Sequence, residues 1–250
     1  MINFFRRIRK QLADDNKPLK YARYAVGEII LVIIGILIAL YINNWNQIEK
    51  SKSESNRLLI LLTLDLEKDI NHINSIRTEY NDWLLQIENI LDNSLDSNSK
   101  KITQLHEFSA GRTSMYYLHI NKITFSEMFN SGKALEFDNV EIVRDIKDYY
   151  EYADIELFKV NSDSEIYFLQ AQNLYGVKGF STWFRLYYQR NLEYIDWSWL
   201  SDPRSDEYER LEAMLLYYKL SIEVNLEVMQ ELEKRSKLLI DNIKKEFEGK

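Results

Sequence analysis

The run AVGEIILVIIGILIALYI, Ala25 to Ile42, constrains this chain more than any other feature, because it holds only one charge, Glu28. At about 1.5 Å per residue, a helix over this run spans roughly 27 Å, close to the hydrocarbon thickness of a bilayer. A buried core helix is seldom apolar on every face over such a length. A cleaved signal fits less well than an anchor, since the 24 residues before the run exceed a normal n-region and no small-x-small site precedes Asn43 and Asn44. The sequence therefore predicts an uncleaved membrane helix over 25–45, a basic segment over 1–24 and a water-exposed domain over 46–250.

Charge sets the orientation of that anchor. Residues 1–23 carry Arg6, Arg7, Arg9, Lys10, Lys17, Lys20 and Arg23 against Asp14 and Asp15, a net +5 that leaves −12 for the rest of a chain totalling −7. Cations gather on the cytoplasmic side of a span, and Tyr21, Tyr24, Tyr41 and Trp45 sit where interfacial aromatics are expected. The N-terminus is predicted to be cytoplasmic, with the domain exported. Phe4, Phe5, Ile8 and Leu12 oppose the cations of FFRRIRKQL, as in a short helix lying on the inner leaflet. An acidic domain without a basic stripe argues against nucleic acid as a partner. On the spanning helix, Glu28, Gly35, Ala39 and Asn46 fall within about 20° of one line. They form a candidate seam for a second helix, the alternative being that Glu28 snorkels to the interface and the small residues coincide by chance.

The stretches FFRRIRKQL and KYARYAVGEIILVIIGILIALYINNWN, with Gly27, Glu28, the core Ile34 to Leu40 and INNWN at Ile42 to Asn46, carry a family likeness. So, more loosely, do Ser131, Gly132, Lys133 and Leu135. The chain resembles an uncharacterised family of membrane-anchored proteins from Bacteroidota, a domain of unknown function, in which glutamine is expected where Tyr41 stands. The resemblance implies an inner-membrane, periplasm-facing setting and carries over no activity or catalytic residue.

Seven Gly and two Pro in 250 residues leave few of the turns that all-β folds need, so an all-α fold is expected. Beyond Trp45 no Gly or Pro interrupts QIEKSKSESNR, and the spanning helix is predicted to continue into a long one. Leu59, Leu66, Ile73, Tyr80 and Ile87 recur every seven residues, as do Leu62, Ile76, Trp83 and Ile90, with Asp69 the polar exception. That pattern allows a coiled coil, but Leu58, Ile60, Leu61 and Leu64 widen the stripe and favour a helix packed in its own bundle. Residues 92–103 read as loop, with a short helix around Gln104 to Ser109. A helix from Ile123 is expected to stop at Gly132, and Asp138 with Glu141 suggests a capping box for a second long helix. Gly176 and Gly179 are expected to break it, and Asp202 with Pro203 to open a third, running to about Phe247.

The chemistry on offer is thin. Zero Cys excludes disulfides, thiol chemistry and cysteine-ligated metals. His72 follows Asp69 at three residues, but His106 and His119 lack such a carboxylate, so the paired Glu-x-x-His pattern of di-iron bundles is not met. Nucleophile elbows, phosphate loops and dinucleotide fingerprints are absent, and no cofactor is expected. The unusual segment is WFRLYYQRNLEYIDWSWL, from which Trp183, Arg185, Tyr187, Tyr188, Arg190, Trp197 and Trp199 are candidate ligand or partner contacts. Its plainer reading is an aromatic plug at the end of a bundle. The expectation is a non-enzymatic interaction or scaffold protein that binds an envelope partner or its own copy, with a small-ligand sensor as the alternative.

Overall fold

The computed structural model describes residues 18–92, 98–111 and 117–248. Helices α1 (Pro18–Leu91), α2 (Asn98–Gly111), α3 (Ile123–Asn130), α4 (Val140–Tyr188) and α5 (Asp206–Glu248) follow one another with short 3-10 turns between them. Among the described residues there is no strand, so the fold is all-α. The amphipathic segment expected over Phe4 to Leu12 lies outside the described residues. Packing divides the chain into two units, Met1–Arg57 and Leu58–Lys250.

In the first unit, the apolar side chains from Val26 to Ile42 are solvent-exposed, and the best 18-residue window has a mean hydropathy of 2.7 with none of it buried. By length and composition this helix meets the requirement for a membrane span, a test that an N-terminal signal sequence passes as well. A Cβ added at Gly27 or Gly35 would meet nothing within 4 Å, so neither glycine serves packing within the chain.

The second unit is a helical bundle, and its register can be read from side-chain bonds. Arg77 on α1 pairs with Glu233 on α5, and Lys219 on α5 reaches Glu88 on α1 at 3.0 Å, so α1 and α5 run antiparallel. The α4–α5 pairs step the same way: Asn139 with Glu246 at 2.6 Å, Tyr149 with Ser236 at 2.8 Å, and Ser164 with Ser221 at 3.2 Å. Helices α1 and α4 are therefore parallel, with α5 returning beside both. Both seven-residue series on α1 are buried, Leu59 to Ile87 and Leu62 to Ile90, and Asp69 is buried with them. Leu58 joins this core, while Ile60 and Leu64 stay exposed, so the buried stripe is that of a bundle helix with a slightly narrower face than the residue types suggest.

The ends of the elements differ from the sequence expectation in instructive ways. Helix α2 begins at Asn98, inside the stretch read as loop, because Asn98 is fastened to the Trp197 carbonyl at 3.3 Å and to Ser201 at 2.8 Å. The cap of α4 is Asn139 rather than Asp138: its side chain accepts from the N–H groups of Glu141 at 3.0 Å and Ile142 at 3.3 Å. Helix α4 continues through Gly176 and Gly179. A glycine costs about 1 kcal/mol in a helix but does not end one unless the chain must turn there. The turn comes at Gln189, whose φ of 48° starts a Schellman motif with Gln189 N–H on the Leu186 carbonyl at 3.2 Å and Arg190 N–H on the Arg185 carbonyl at 3.0 Å. Asp202 and Pro203 form a turn, the Asp202 carboxylate accepting from Arg204 N–H at 3.0 Å. Ser205 then caps α5 through Tyr208 N–H at 3.3 Å, ahead of Asp206, Glu207 and Glu209 in the first turn. Helix α3 stops where expected, with Gly132 left-handed at φ 78°.

Candidate functional site

Two acids on one face of α1, a turn apart, organise the most elaborate polar site in the second unit. Asp65 and Asp69 are buried, and both point at the segment that leads into α3. Both carboxylate oxygens of Asp69 accept the backbone N–H of Asn121 at 3.0 Å. Asp65 accepts the Asn121 side-chain amide at 3.0 Å, the Thr124 hydroxyl, and the Thr124 backbone N–H at 3.4 Å. The Asn121 side-chain oxygen takes the N–H of Ile123 at 3.0 Å. The open N-terminus of α3 is thus capped partly from its own chain and partly from α1, which meets the need of its first free N–H groups.

Neighbouring groups complete the clamp. Asn161 on α4 accepts the Leu118 N–H at 3.0 Å and donates to the Leu118 carbonyl at 2.8 Å, as an adjacent strand would. The Tyr150 hydroxyl donates to the Asn121 carbonyl at 3.1 Å, and its ring stacks on Phe125 with centroids 4.2 Å apart. Burial pushes the Asp69 carboxyl up to about 6, against the Asn121 N–H that pulls it down; Asp65 adds to the rise, and His119 and Lys68 oppose it. Burial likewise pushes the Tyr149 phenol up to about 12. The rings of His72 and His119 lie 5.0 Å apart at the edge of this site. Among the described residues, no three His, Asp or Glu side chains gather as metal ligands do. The hydrogen-bonding capacity of the two acids goes into holding the connection in place. The sequence marks Asp69 both as the acid three residues before His72 and as a break in a heptad series; the break, an acid where a core residue belongs, is the signal that points to this site.

The aromatic segment is divided by the fold. Trp197 and Trp199, with centroids 6.1 Å apart, pack partly buried against the core, and the Trp197 ring N–H donates to the Leu192 carbonyl at 3.2 Å. Tyr187 and Tyr188 meet edge to face at 4.7 Å, with Tyr188 exposed. Arg185 is partly buried in the last turn of α4 and Arg190 is exposed just beyond it. The side chain of Trp183 lies outside those described. A crevice beside this segment, lined by Ile90, Lys101, Leu200, Tyr208 and Leu211, has room for about one water molecule. The two tryptophans here serve as packing for the end of the bundle.

In the first unit Gly35, Ala39 and Asn46 are exposed along the helix and Glu28 is half-buried. Comparison with curated proteins and with solved structures finds no match. Residues 28–180, more than half of the chain, match the model of a family described as "Family of unknown function (DUF6090)", and the chain belongs to that family.

Proposed function

We propose that this protein is a non-enzymatic interaction or scaffold component of a bacterial cell envelope. It is held in the inner membrane by α1, with its N-terminus cytoplasmic and its second unit periplasmic. The family likeness of the N-terminal signature to proteins of Bacteroidota suits that setting. The observation that carries the interaction reading is apolar surface left outside the core of the second unit: Ile155, Phe158, Ile166 and Leu169 on α4 are half-exposed or more, on the side of the helix away from α5. Contiguous apolar surface of this kind marks sites of association. The strongest polar constellation, around Asp65 and Asp69, is meanwhile occupied in holding the fold. Within the membrane helix, Glu28, Gly35, Ala39 and Asn46 offer a seam for a second helix. A small-ligand sensor would need a pocket near Trp197 and Trp199, where the crevice holds about one water.

Two measurements test this reading. A reporter fused after Lys250 is expected to be active only when exported, and activity in the cytoplasm would overturn the orientation. Chemical crosslinking in intact membranes, followed by affinity capture of the full-length protein and mass spectrometry, is expected to recover a reproducible envelope partner or a second copy. Recovery of the monomer alone would overturn the interaction role.

A further inference from the structure

The chain has three histidines, and the fold brings two of them together. His72 stands on α1 one turn beyond Asp69, and His119 lies in the segment that Asp69 fastens. Leu118 and Ile120 are buried there, so His119 between them is turned outward, as alternation along an extended chain requires. The two ring centres are 5.0 Å apart, with planes tilted by 51°. The backbone is held on both sides of His119. Asn161 takes Leu118 at 3.0 and 2.8 Å, and Asp69 and Tyr150 take Asn121 at 3.0 and 3.1 Å. His119 therefore cannot drift from α1 without breaking buried bonds, and a pair of side chains fixed in this way is preorganised to share a third body.

We propose that His72 and His119 together bind a divalent transition-metal ion of the class that favours imidazole, such as Zn²⁺, with water completing its coordination. With a nitrogen–metal bond of about 2.1 Å, two imidazoles on one tetrahedral ion hold their ring centres about 5 Å apart. The observed separation matches, and the tilt is one that two ligands of a single ion can adopt and a face-to-face stack cannot. The tautomer of His119 is also set. Its Nδ1 lies 3.4 Å from the Tyr117 carbonyl, which can only accept, so Nδ1 carries the proton and Nε2 of the neutral ring keeps its lone pair. A ring nitrogen donating to a carbonyl behind the coordinating one is the usual arrangement of a metal-bound histidine. The field is favourable to a cation: the Asp69 charge attracts His119, while Lys68 is turned to Asp65 at 4.0 Å and Lys122 is paired with Asp154. Two protein nitrogens make an open, exchangeable site. Magnesium and calcium, which take oxygen ligands, do not suit it. The ion would add a further tie between α1 and the segment leading into α3, independently of the partner proposed above.

Equilibrium dialysis of the untagged full-length protein in detergent against ZnCl₂ tests the site. The wild-type protein is expected to retain about one Zn²⁺ per chain, without displacement by excess Mg²⁺. His72→Ala and His119→Ala are each expected to weaken binding by about tenfold or more. His106→Ala is the control, since His106 faces Gln189 at 2.7 Å rather than the pair, and it should bind as the wild type does. His72 and His119 are exposed, so their replacement should leave the helical circular dichroism signal unchanged. Failure of the wild-type protein to retain zinc would overturn the proposal. Undiminished affinity in either His72→Ala or His119→Ala, or displacement of the zinc by Mg²⁺, would overturn it as well.

Discussion

Asp69 grips the backbone of Asn121, 52 residues further along the chain, with both oxygens of its carboxylate at 3.0 Å from a single N–H. This buried acid tethers the segment that leads into α3.

Its titration gives a pH signature. Burial raises the folded pKa to about 6, above the ordinary aspartate value. Between about pH 4 and pH 6 the folded state therefore holds the proton more tightly than the unfolded state, and stability from this group falls as pH rises through that window. The loss is on the order of 2 kcal/mol. Thermal unfolding of the detergent-solubilised protein should show it, and Asp69→Asn, which still accepts one hydrogen bond, should flatten the dependence without lowering stability at pH 7. An unchanged slope would mean that Asp69 does not titrate in this range.

Thr124 supplies Asp65 with a hydroxyl donor in a buried setting. Thr124→Val keeps the shape and removes the donor, leaving the carboxylate short of a partner. A loss of about 2 kcal/mol is expected, measured by denaturant unfolding. A change under a few tenths would show that the acid has found another donor.

Gln189 adopts a left-handed conformation, φ 48°, at the end of α4. Such a conformation costs an L-residue about 1 kcal/mol, which glycine avoids. Gln189→Gly gives up an exposed contact with His106, at 2.7 Å, and is still expected to raise the unfolding midpoint by a degree or more. A lower midpoint would place more weight on the His106 contact than on the backbone.

Within the apolar N-terminal part of α1, Gly35 has open space around it and Ala39 is exposed. Replacing both with Leu leaves the monomer undisturbed and fills the proposed seam. Association in a membrane two-hybrid assay should fall, whereas the same signal from both forms would remove Gly35 and Ala39 from any interface.

Much of the architecture could be read from local pattern. The seven-residue series from Leu59 to Ile87 is buried throughout, since a repeat that close to the helical period puts its members on one face, and one face is what a bundle buries. The left-handed Gly132 after α3 was equally legible. Helix ends were less so. Asn139 and Asp138 are both good caps, and only the path of the chain decides which side chain reaches the free N–H groups. Gly176 and Gly179 looked like a break because glycine weakens a helix, yet the turn fell where Gln189 and Asn191 take positive φ.

The sequence by itself determined the apolar helix able to span a membrane, the all-α class and the buried stripe of α1. Each depends on residues within a few turns of one another, where composition and spacing act directly on the backbone. Tertiary structure decided what Asp65 and Asp69 do, that Asn161 pairs with the Leu118 backbone, and that Trp197 and Trp199 fill the end of the bundle. The partners in those contacts are dozens of residues apart, and no local preference specifies them; they follow from the order in which α1, α4 and α5 pack and from the need of every buried polar group to find a bond.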